Sequence, residues 1–576
     1  MSATPSPAGP GAFIVFEGID GSGKTTISNR VADRLTARGL RVVHVRAGGT
    51  LASEVAESIR QFTRDQRNLG LAPFTEFLLY VARERQQLED SIAPALASAD
   101  VVIADRYFFT AEVLARFGRG LPPELLEPVL VSARKDLVPT LTILIDVEPQ
   151  IAKARRRADK IARPTVRTSS RKGLSGAGLM TRLRDGYLQL AGNHPERWLV
   201  VDNSRSDLNQ LIDGLVETIA QIVVRHGAPG ATPLRPTRPV TKPRSATDAV
   251  GVFLGRVDDI AAREPEVAAY LLGGLAGPGV DERRTAMATR TPAIIGNGLR
   301  GLDDDASWAL RRALAAVVPD QIARSLGGLV DESPASWTMR RELAASSPDG
   351  VAASLDDRHE PEAWRLRREL WSIAPTPVVQ SLCRDDSPDA WQLRETWLAE
   401  SGGDAVLSSP ELARALVSSL RGLSSPRAWA LRAAARLASP VGALLSITGI
   451  DDERAWAWRQ ELLARAPRPV LRTIDQLDHP LAWDLRERSI GLCKEGLDSI
   501  YGLDGERAWA LREGALDRWP STVVKSLGPL ASTPRGWALV ERQLARYPEN
   551  LSLLKHATHH ALMYGQHRAP EALAAP

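Results

Sequence analysis

Cysteine is nearly absent from this chain. Its 576 residues hold two, Cys383 and Cys493, too few for a disulfide framework or a four-ligand zinc site, which points to a reducing compartment. No uncharged apolar run of about 18 residues occurs, so no transmembrane helix is expected. The start, Met1-Ser-Ala-Thr-Pro-Ser-Pro, lacks the basic and apolar regions of a signal peptide. A cytoplasmic protein with no membrane partner is the resulting expectation. A strong excess of one charge is lacking too. The net charge is only +4, so the chain as a whole announces no nucleic-acid partner. Lysine is scarce beside arginine, alanine, leucine and proline, which marks a GC-rich genome more than a function.

What is present is ordinary for a globular protein: 44% apolar and 25% charged residues. The length exceeds what one hydrophobic core supports, so two or more domains are expected. Residues 1–12 are rich in Pro, Gly, Ser and Ala and read as a disordered tail. From Phe13 short apolar runs alternate with helix-period stretches. Phe13–Glu17, Arg41–Val45, Val101–Ala104, Leu141–Asp146 and Trp198–Val201 read as strands. Such alternation predicts an α/β domain over 13–225, with a parallel sheet covered by helices on both faces. Residues 226–248 carry Pro229, Pro233, Pro236, Pro239 and Pro243 among basic residues and read as a semi-extended linker.

Gly18-Ile-Asp-Gly-Ser-Gly-Lys24-Thr25 is a full Walker A motif between the strand Phe13–Glu17 and the helical pattern Thr26–Arg38. Backbone N–H groups around Gly18, Gly21, Ser22, Gly23 and the helix start at Thr25 and Thr26 would wrap the phosphates of ATP. Lys24 would neutralise the β- and γ-phosphates and Thr25 would bind Mg²⁺. Phosphoryl transfer needs charge neutralisation and alignment more than a base. Residues 153–172 supply Lys153, Arg155, Arg156, Arg157, Lys160, Arg163, Arg167, Arg171 and Lys172 against one acid, Asp159, enough for a cationic lid. A solvated basic helix face is the bland alternative for that cluster, and a nucleic-acid patch a lesser one.

The surroundings of the motif narrow the family. Phe16-Glu-Gly-Ile-Asp-Gly-Ser-Gly-Lys-Thr-Thr26 and Val101-Val-Ile-Ala-Asp105-Arg106-Tyr107 resemble the P-loop and the Asp-Arg-Tyr motif of the thymidylate kinases. Ser91–Leu96 and Leu141–Val147 also resemble that family. The likeness covers about residues 13–222. It implies a P-loop nucleoside monophosphate kinase, with ATP and Mg²⁺ as cofactors and a monophosphate, dTMP or a relative, as acceptor substrate. It implies that Asp20 faces the acceptor sugar, that Arg106 holds the acceptor phosphate with Tyr107 beside it, and that Asp105 sits near the magnesium. The family's lid position falls on 153–172, and the place of a P-loop catalytic Arg is Gly21. Arg155 and Arg163 are therefore the candidate catalytic lid cations, beside Lys24, Asp20 and Arg106. A homodimer is a further expectation.

The sequence also departs from the pattern. An Arg-Glu-Pro-Gly-Gly-Thr motif appears as Arg46-Ala47-Gly48-Gly49-Thr50, leaving Arg46 to approach the acceptor phosphate. In Phe77–Leu88 an ungapped match puts Glu84 where an acceptor-phosphate Arg is expected, between Arg83 and Arg85; Arg83 is the substrate-binding candidate there, and Tyr80 could stack on the base. After Tyr107 the Ser-x-x-Ala-Tyr-Gln stretch that reads thymine is replaced by Phe108-Phe-Thr-Ala-Glu-Val-Leu-Ala-Arg116. Loss of base-reading hydrogen bonds lowers selectivity by orders of magnitude.

The rest of the chain has a different rhythm. Thirteen of the fourteen tryptophans lie beyond the kinase-like part. Nine recur at Trp308, Trp337, Trp364, Trp391, Trp429, Trp456, Trp483, Trp509 and Trp537, mostly 26–29 residues apart. Eight begin a Trp-x-x-Arg unit, giving Arg311, Arg340, Arg367, Arg394, Arg432, Arg459, Arg486 and Arg512; the ninth has Val540 instead. A fixed period predicts an all-α repeat solenoid of about 27-residue two-helix units over 249–556 that resembles HEAT-like arrays. Ser or Asp before Pro opens helices in each unit. Residues 249–280 read as a divergent capping end, 557–576 as a tail, and the 38-residue step before Trp429 as an insertion with a helix near Pro410–Leu420.

Recurrence favours a structural role for Trp-x-x-Arg, with Trp between stacked helix pairs and Arg paired to an acidic turn such as Asp303–Asp305, Asp331-Glu332 or Asp451–Glu453. An Arg ladder for nucleic acid or an acidic partner is the alternative, and acids in nearly every unit argue against it. His556, His559 and His560 stand at helical spacing and read as a solvated helix end rather than a metal site. Two functions result: a working monophosphate kinase, or a nucleotide sensor and scaffold with a degenerate kinase fold and a protein partner on the solenoid.

Overall fold

The computed structural model describes residues 11–46, 51, 53–65, 68, 71–135, 137–163, 177–204, 207–225, 248–329, 333–463, 466–475, 477–490 and 493–564. The Ala47–Thr50 stretch, Arg167, Arg171, Lys172, Asp331, Glu332, residues 1–10, 226–247 and 565–576 lie outside the described residues. The chain divides into two compact units, Met1–Arg156 with Val166–Pro239 and Arg157–Thr165 with Val240–Pro576.

In the first unit, five strands form one sheet in the order β2-β3-β1-β4-β5. They are β1 (Ala12–Glu17), β2 (Val42–His44), β3 (Val101–Asp105), β4 (Leu141–Asp146) and β5 (Trp198–Asp202). Every pairing is parallel, with Phe16 opposite Asp105 and Ile143. The central strands β1 and β3 are apolar except for their last residues, Glu17 and Asp105, and are buried on both faces, as parallel strands under helices must be. One core layer joins Ile14, Phe16, Ile103 and Ile145 to Ile27, Val31 and Leu35 of α1 (Lys24–Ala37) and to Ile212, Val216 and Ile219. The remaining helices are α2 (Glu54–Arg64), α3 (Pro73–Gln87), α4 (Ala93–Leu96), α5 (Phe108–Val113), α6 (Pro123–Arg134), α7 (Pro149–Ala162), α8 (Ala177–Asn193) and α9 (Leu208–Arg225). A π-helical turn, Leu114–Gly118, extends α5. The C-terminal ends of β1 and β3 lie side by side and place the P-loop next to the Asp-Arg-Tyr turn, the ligand edge of an open α/β sheet.

The second unit is all helical, built from two-helix repeats. The first helix of each, such as Pro334–Leu343, Pro426–Ala435 or Glu453–Leu462, carries the Trp and Arg. The second is short and starts at Pro, as in Pro319–Ser325, Pro348–Ser354 and Pro520–Leu527. Pro375–Gln380 begins two residues before the expected Pro377. The insertion holds two helices, Gly403–Ser408 and Pro410–Ser419. One more repeat, Val280–Met287 with Pro292–Gly298, lacks Trp but keeps a buried Arg284. Its signal was there: Arg284 precedes Arg311 by the same 27 residues.

Two expectations about the ends need correction. The helix Leu551–Tyr564 runs through the segment read as a tail, and His560 is buried with its Nε2 2.9 Å from the Val524 carbonyl. The histidine helix end is therefore packed rather than solvated, and no metal-binding group was found among the described residues. The start of the unit is no free cap. Asp248–Ala261 packs against Leu551–Tyr564, and the short helices contact one another in sequence from Pro265–Leu272 round to that last helix. Arg256 donates to the Glu549 carbonyl at 2.7 Å, and Lys555 to the Gly273 carbonyl at 2.9 Å. The repeat unit thus closes into a ring, which removes the two exposed ends that an open array must cap.

The Arg of each repeat also differs from expectation. All eight are fully buried, each beside the ring of its own Trp, with Arg459 4.4 Å from the Trp456 centroid. The guanidinium groups of Arg311, Arg367, Arg394, Arg432, Arg459, Arg486 and Arg512 donate to hydroxyl and main-chain carbonyl oxygens rather than to a carboxylate of the acidic turn. Arg459 Nε donates to the Thr473 hydroxyl at 2.9 Å, and Nη2 donates to the Thr473 carbonyl and to the Ile447 carbonyl at 3.0 Å. Those carbonyls end two consecutive short helices, so the guanidinium caps both and ties one repeat to the next. The same pattern recurs at Arg367, Arg432 and Arg512. The acidic turn binds the Trp instead: the indole N–H donates to an Asp five residues back in Trp308, Trp391, Trp456, Trp483 and Trp509.

Candidate active site

The P-loop of the first unit needs its glycines. Gly18, Gly21 and Gly23 have φ of 146°, 89° and 92°, a region L-residues rarely adopt. A side chain at Gly21 would also meet the Ala152 carbonyl of α7 at 2.4 Å and the Arg156 stem at 3.1 Å. That packing explains why no arginine occupies this loop position. Ser22 is buried and its carbonyl accepts from Asn203 Nδ2 at 2.7 Å. Thr25 and Thr26 open α1, with Thr26 exposed.

Lys24 is buried and lies 3.8 Å from Asp20, its Nζ also 3.4 Å from the Ile19 carbonyl. Burial, with Arg106 and Arg46 nearby, pulls its pKa down to about 8, against the pull of Asp105 and Asp20. The Thr25 hydroxyl donates to Asp105 Oδ2, while the other carboxylate oxygen, buried, has no partner. Burial works against the Asp105 charge, but Lys24, Arg46 and Arg106 hold its carboxyl below the usual range.

Arg106 stands at the centre. Its backbone has a φ of 86°, left-handed and strained for a non-glycine residue. Its Nη2 donates to Asp20, and its Nη1 donates to Thr110 at 3.0 Å and Tyr187 at 3.2 Å. Burial opposes the Asp20 charge too, yet Arg106, Lys24, Arg156 and Arg64 keep that carboxyl ionised well below its ordinary value. A small cleft lined by Gly18, Ile19, Asp20, Arg106, Thr110, Val113, Leu114, Leu183 and Tyr187 opens here. Leu114 and Ala115, buried in the π-helical turn, are apolar. Arg46 is buried, donates to the Asp105 carbonyl at 3.0 Å and keeps Nε without a partner.

Several expected residues stand apart. The Tyr107 side chain does not reach the cleft: its ring packs on Phe13 and Phe108 in the core, and its hydroxyl donates to the Leu137 carbonyl at 3.0 Å. Tyr80 is buried under Arg83, whose guanidinium lies 4.6 Å from its ring and bonds Glu84 at 2.9 Å. Arg155 fastens α7 to the P-loop through the Asn203 carbonyl at 2.8 Å and the Ser22 carbonyl at 3.4 Å. Arg163, past the end of α7, is exposed and paired with Asp159 at 2.8 Å. Arg156 had no signal beyond the basic cluster, yet it is the α7 cation whose stem lies near Gly21 and whose charge acts on Asp20.

Known proteins resemble this part of the chain. The family model for thymidylate kinase matches residues 16–212. A thymidylate kinase from Geobacter sulfurreducens is 39% identical over 194 residues, which is 34% of this chain and 90% of that protein. One from Trichlorobacter lovleyi is 36% identical over 192 residues, 33% of this chain and 88% of that protein. A crystal structure of thymidylate kinase from Ehrlichia chaffeensis is 26% identical and covers 37% of this chain and 99% of that one, at a TM-score of 0.28. With 36% and 39% identity over 88% and 90% of the two curated relatives, this chain belongs to the thymidylate kinase family.

Proposed function

We propose that the first unit transfers the γ-phosphoryl group of ATP to dTMP or a closely related nucleoside monophosphate, giving ADP and the diphosphate. Family membership makes the chain an ATP-using nucleoside monophosphate kinase; the acceptor and the residue roles are the proposal. The observation that carries it is the convergence of Lys24 and Arg106 on Asp20, with Thr25 and Asp105 paired beside them. The P-loop N–H groups and Lys24 bind the donor phosphates. Arg106 exchanges its Asp20 partner for the acceptor phosphate, and Arg46, with an unpaired buried Nε, holds the same phosphate from the β2 side. Asp20, released, accepts from the acceptor sugar. Arg156 is the lid cation placed for the transferring group, and Arg155 positions the loop. The Thr25 hydroxyl and the unpartnered Asp105 oxygen suit Mg²⁺, which when bound neutralises phosphate charge.

The sensor reading is not favoured, because Lys24, Thr25, Asp105 and Arg106 are all in place. The activity is assigned to residues 13–225. A partner on the helical ring, a homodimer and a cytoplasmic location belong to the same reading, tested by co-purification on residues 249–556, sedimentation and fractionation. Among the described residues no helix is long and apolar enough to cross a membrane.

The test is ADP release by the full chain with ATP·Mg²⁺ and each of dTMP, dUMP, dCMP, dGMP and dAMP. Turnover highest with dTMP and lost in Lys24→Ala is expected. No turnover on any acceptor would refute the reading.

A further inference from the structure

Glu17 ends β1 and is the one charged side chain of that strand. It is completely buried beneath the Asp-Arg-Tyr turn, away from solvent and from the cleft lining. A lone buried carboxylate is expensive unless its oxygens are satisfied. Here both are. Oε1 accepts the Tyr107 backbone N–H at 2.9 Å. Oε2 accepts the Thr110 hydroxyl at 2.8 Å and the Tyr187 hydroxyl at 3.0 Å, and lies 3.8 Å from Arg106 Nη1. The Arg106 backbone N–H meanwhile donates to the Phe16 carbonyl at 2.9 Å. The end of β1 therefore grips the turn twice, by its main chain and by its last side chain.

That grip falls on the strained residue. Arg106 sits at a φ of 86°, a conformation that persists only where its surroundings impose it. The two hydroxyls that donate to Glu17 also lie against the Arg106 guanidinium. Glu17 thus fixes the turn and, through Thr110 and Tyr187, the direction in which the guanidinium points. Its neighbours are a backbone N–H, a cation and two hydroxyls that already accept from Arg106 Nη1, an arrangement that suits an acceptor-only group. A glutamine of the same shape keeps only one acceptor oxygen, and its NH₂ would displace either the Tyr107 bond or the two hydroxyl bonds. Burial pushes the Glu17 carboxyl up, while Arg106, Tyr107, Thr110 and Tyr187 act to keep it charged.

We propose that Glu17 is a positioning residue for the acceptor side of the reaction: with Thr110 and Tyr187 it holds the strained Arg106 turn so that the guanidinium meets the acceptor phosphate. This rests on the reading that Arg106 grips that phosphate. Glu17 touches no substrate.

Steady-state kinetics on the full chain with ATP·Mg²⁺ and dTMP test it, with the two KM values measured separately. Glu17→Gln is expected to raise the dTMP KM at least about tenfold, the scale of a lost hydrogen bond to a charged group, with the ATP KM within twofold of wild type. Tyr187→Phe and Thr110→Val, which keep the packing, are expected to raise the dTMP KM several-fold each and serve where Glu17→Gln fails to fold. Equal rises in both KM values, or no change in any variant, would overturn the proposal. Arg106→Ala run in parallel separates the two failures. If it leaves the dTMP KM unchanged, the acceptor-site reading itself falls; if it raises that KM while the Glu17, Thr110 and Tyr187 variants do not, only the positioning role falls.

Discussion

Buried arginines serve opposite ends in the two units. Arg106 sits among carboxylates, with Asp20 bonded to it and Glu17 close behind. Burial works against its charge, but Tyr187, Asp20, Glu17 and Asp105 hold its pKa above the ordinary arginine value. The repeat arginines touch neutral oxygens, and burial pulls Arg311, Arg432, Arg459, Arg486 and Arg512 down to about 10, still protonated at neutral pH. Arg459 gives its bonds to carbonyls and a hydroxyl that nothing replaces. Arg106 gives one to a carboxylate that a phosphate can displace. An arginine kept for binding holds an exchangeable partner on a strained backbone; an arginine kept for structure caps helix ends and repeats.

The comparison can be broken in order of expected effect. Lys24→Ala or Arg106→Ala should lower kcat/KM for dTMP by about a hundredfold to a thousandfold, read by ADP release at a temperature where calorimetry shows the variant folded. Arg459→Met should cost stability and spare turnover. It leaves helix-end carbonyls and the Thr473 hydroxyl unpaired and should destabilise the repeat unit by about 3 kcal/mol, with kcat unchanged below the transition. Trp456→Phe, which loses the N–H bond to Asp451 at 2.6 Å and part of the packing, should cost about 2 kcal/mol in denaturant titration. Arg507→Ala, which removes an exposed pair with Glu487 at 2.7 Å, should change stability by less than about 1 kcal/mol.

A pH titration sharpens the active-site half. Burial is the chief cause that holds Lys24 at about 8 against an ordinary 10.5. Bound phosphates favour the protonated form. Nucleotide binding above pH 8 must therefore take up a proton, and ATP affinity should fall by up to about tenfold per pH unit there. Calorimetry in buffers of different ionisation enthalpy reads the uptake directly. Affinity flat from pH 7 to 9.5 would contradict the burial of Lys24.

Much of this was legible in local sequence. Strand runs such as Leu141–Asp146, the Walker A glycines and the Trp-x-x-Arg period state their structure within a few residues. What was missed depends on distant contacts. The bond from Tyr187 to Glu17 spans 170 residues, and the motif letter Tyr107 turned out to be a core residue because β1 and α5 enclose its ring. The Arg of each repeat was read as an ion-pair partner because acids lie close in sequence. The folded repeat instead offers it carbonyls 12 and 14 residues away, as Arg367 shows with Leu355 and Ser381. Closure of the ring joins residues 293 apart, Arg256 and Glu549, which no periodicity encodes.

The most direct test is ADP release from ATP·Mg²⁺ and dTMP by the full chain beside Arg106→Ala and Arg459→Met. The account predicts that Arg106→Ala, assayed below its own transition, loses acceptor turnover, while Arg459→Met loses stability and keeps turnover below its transition. Wild-type dTMP kinetics in Arg106→Ala would contradict it.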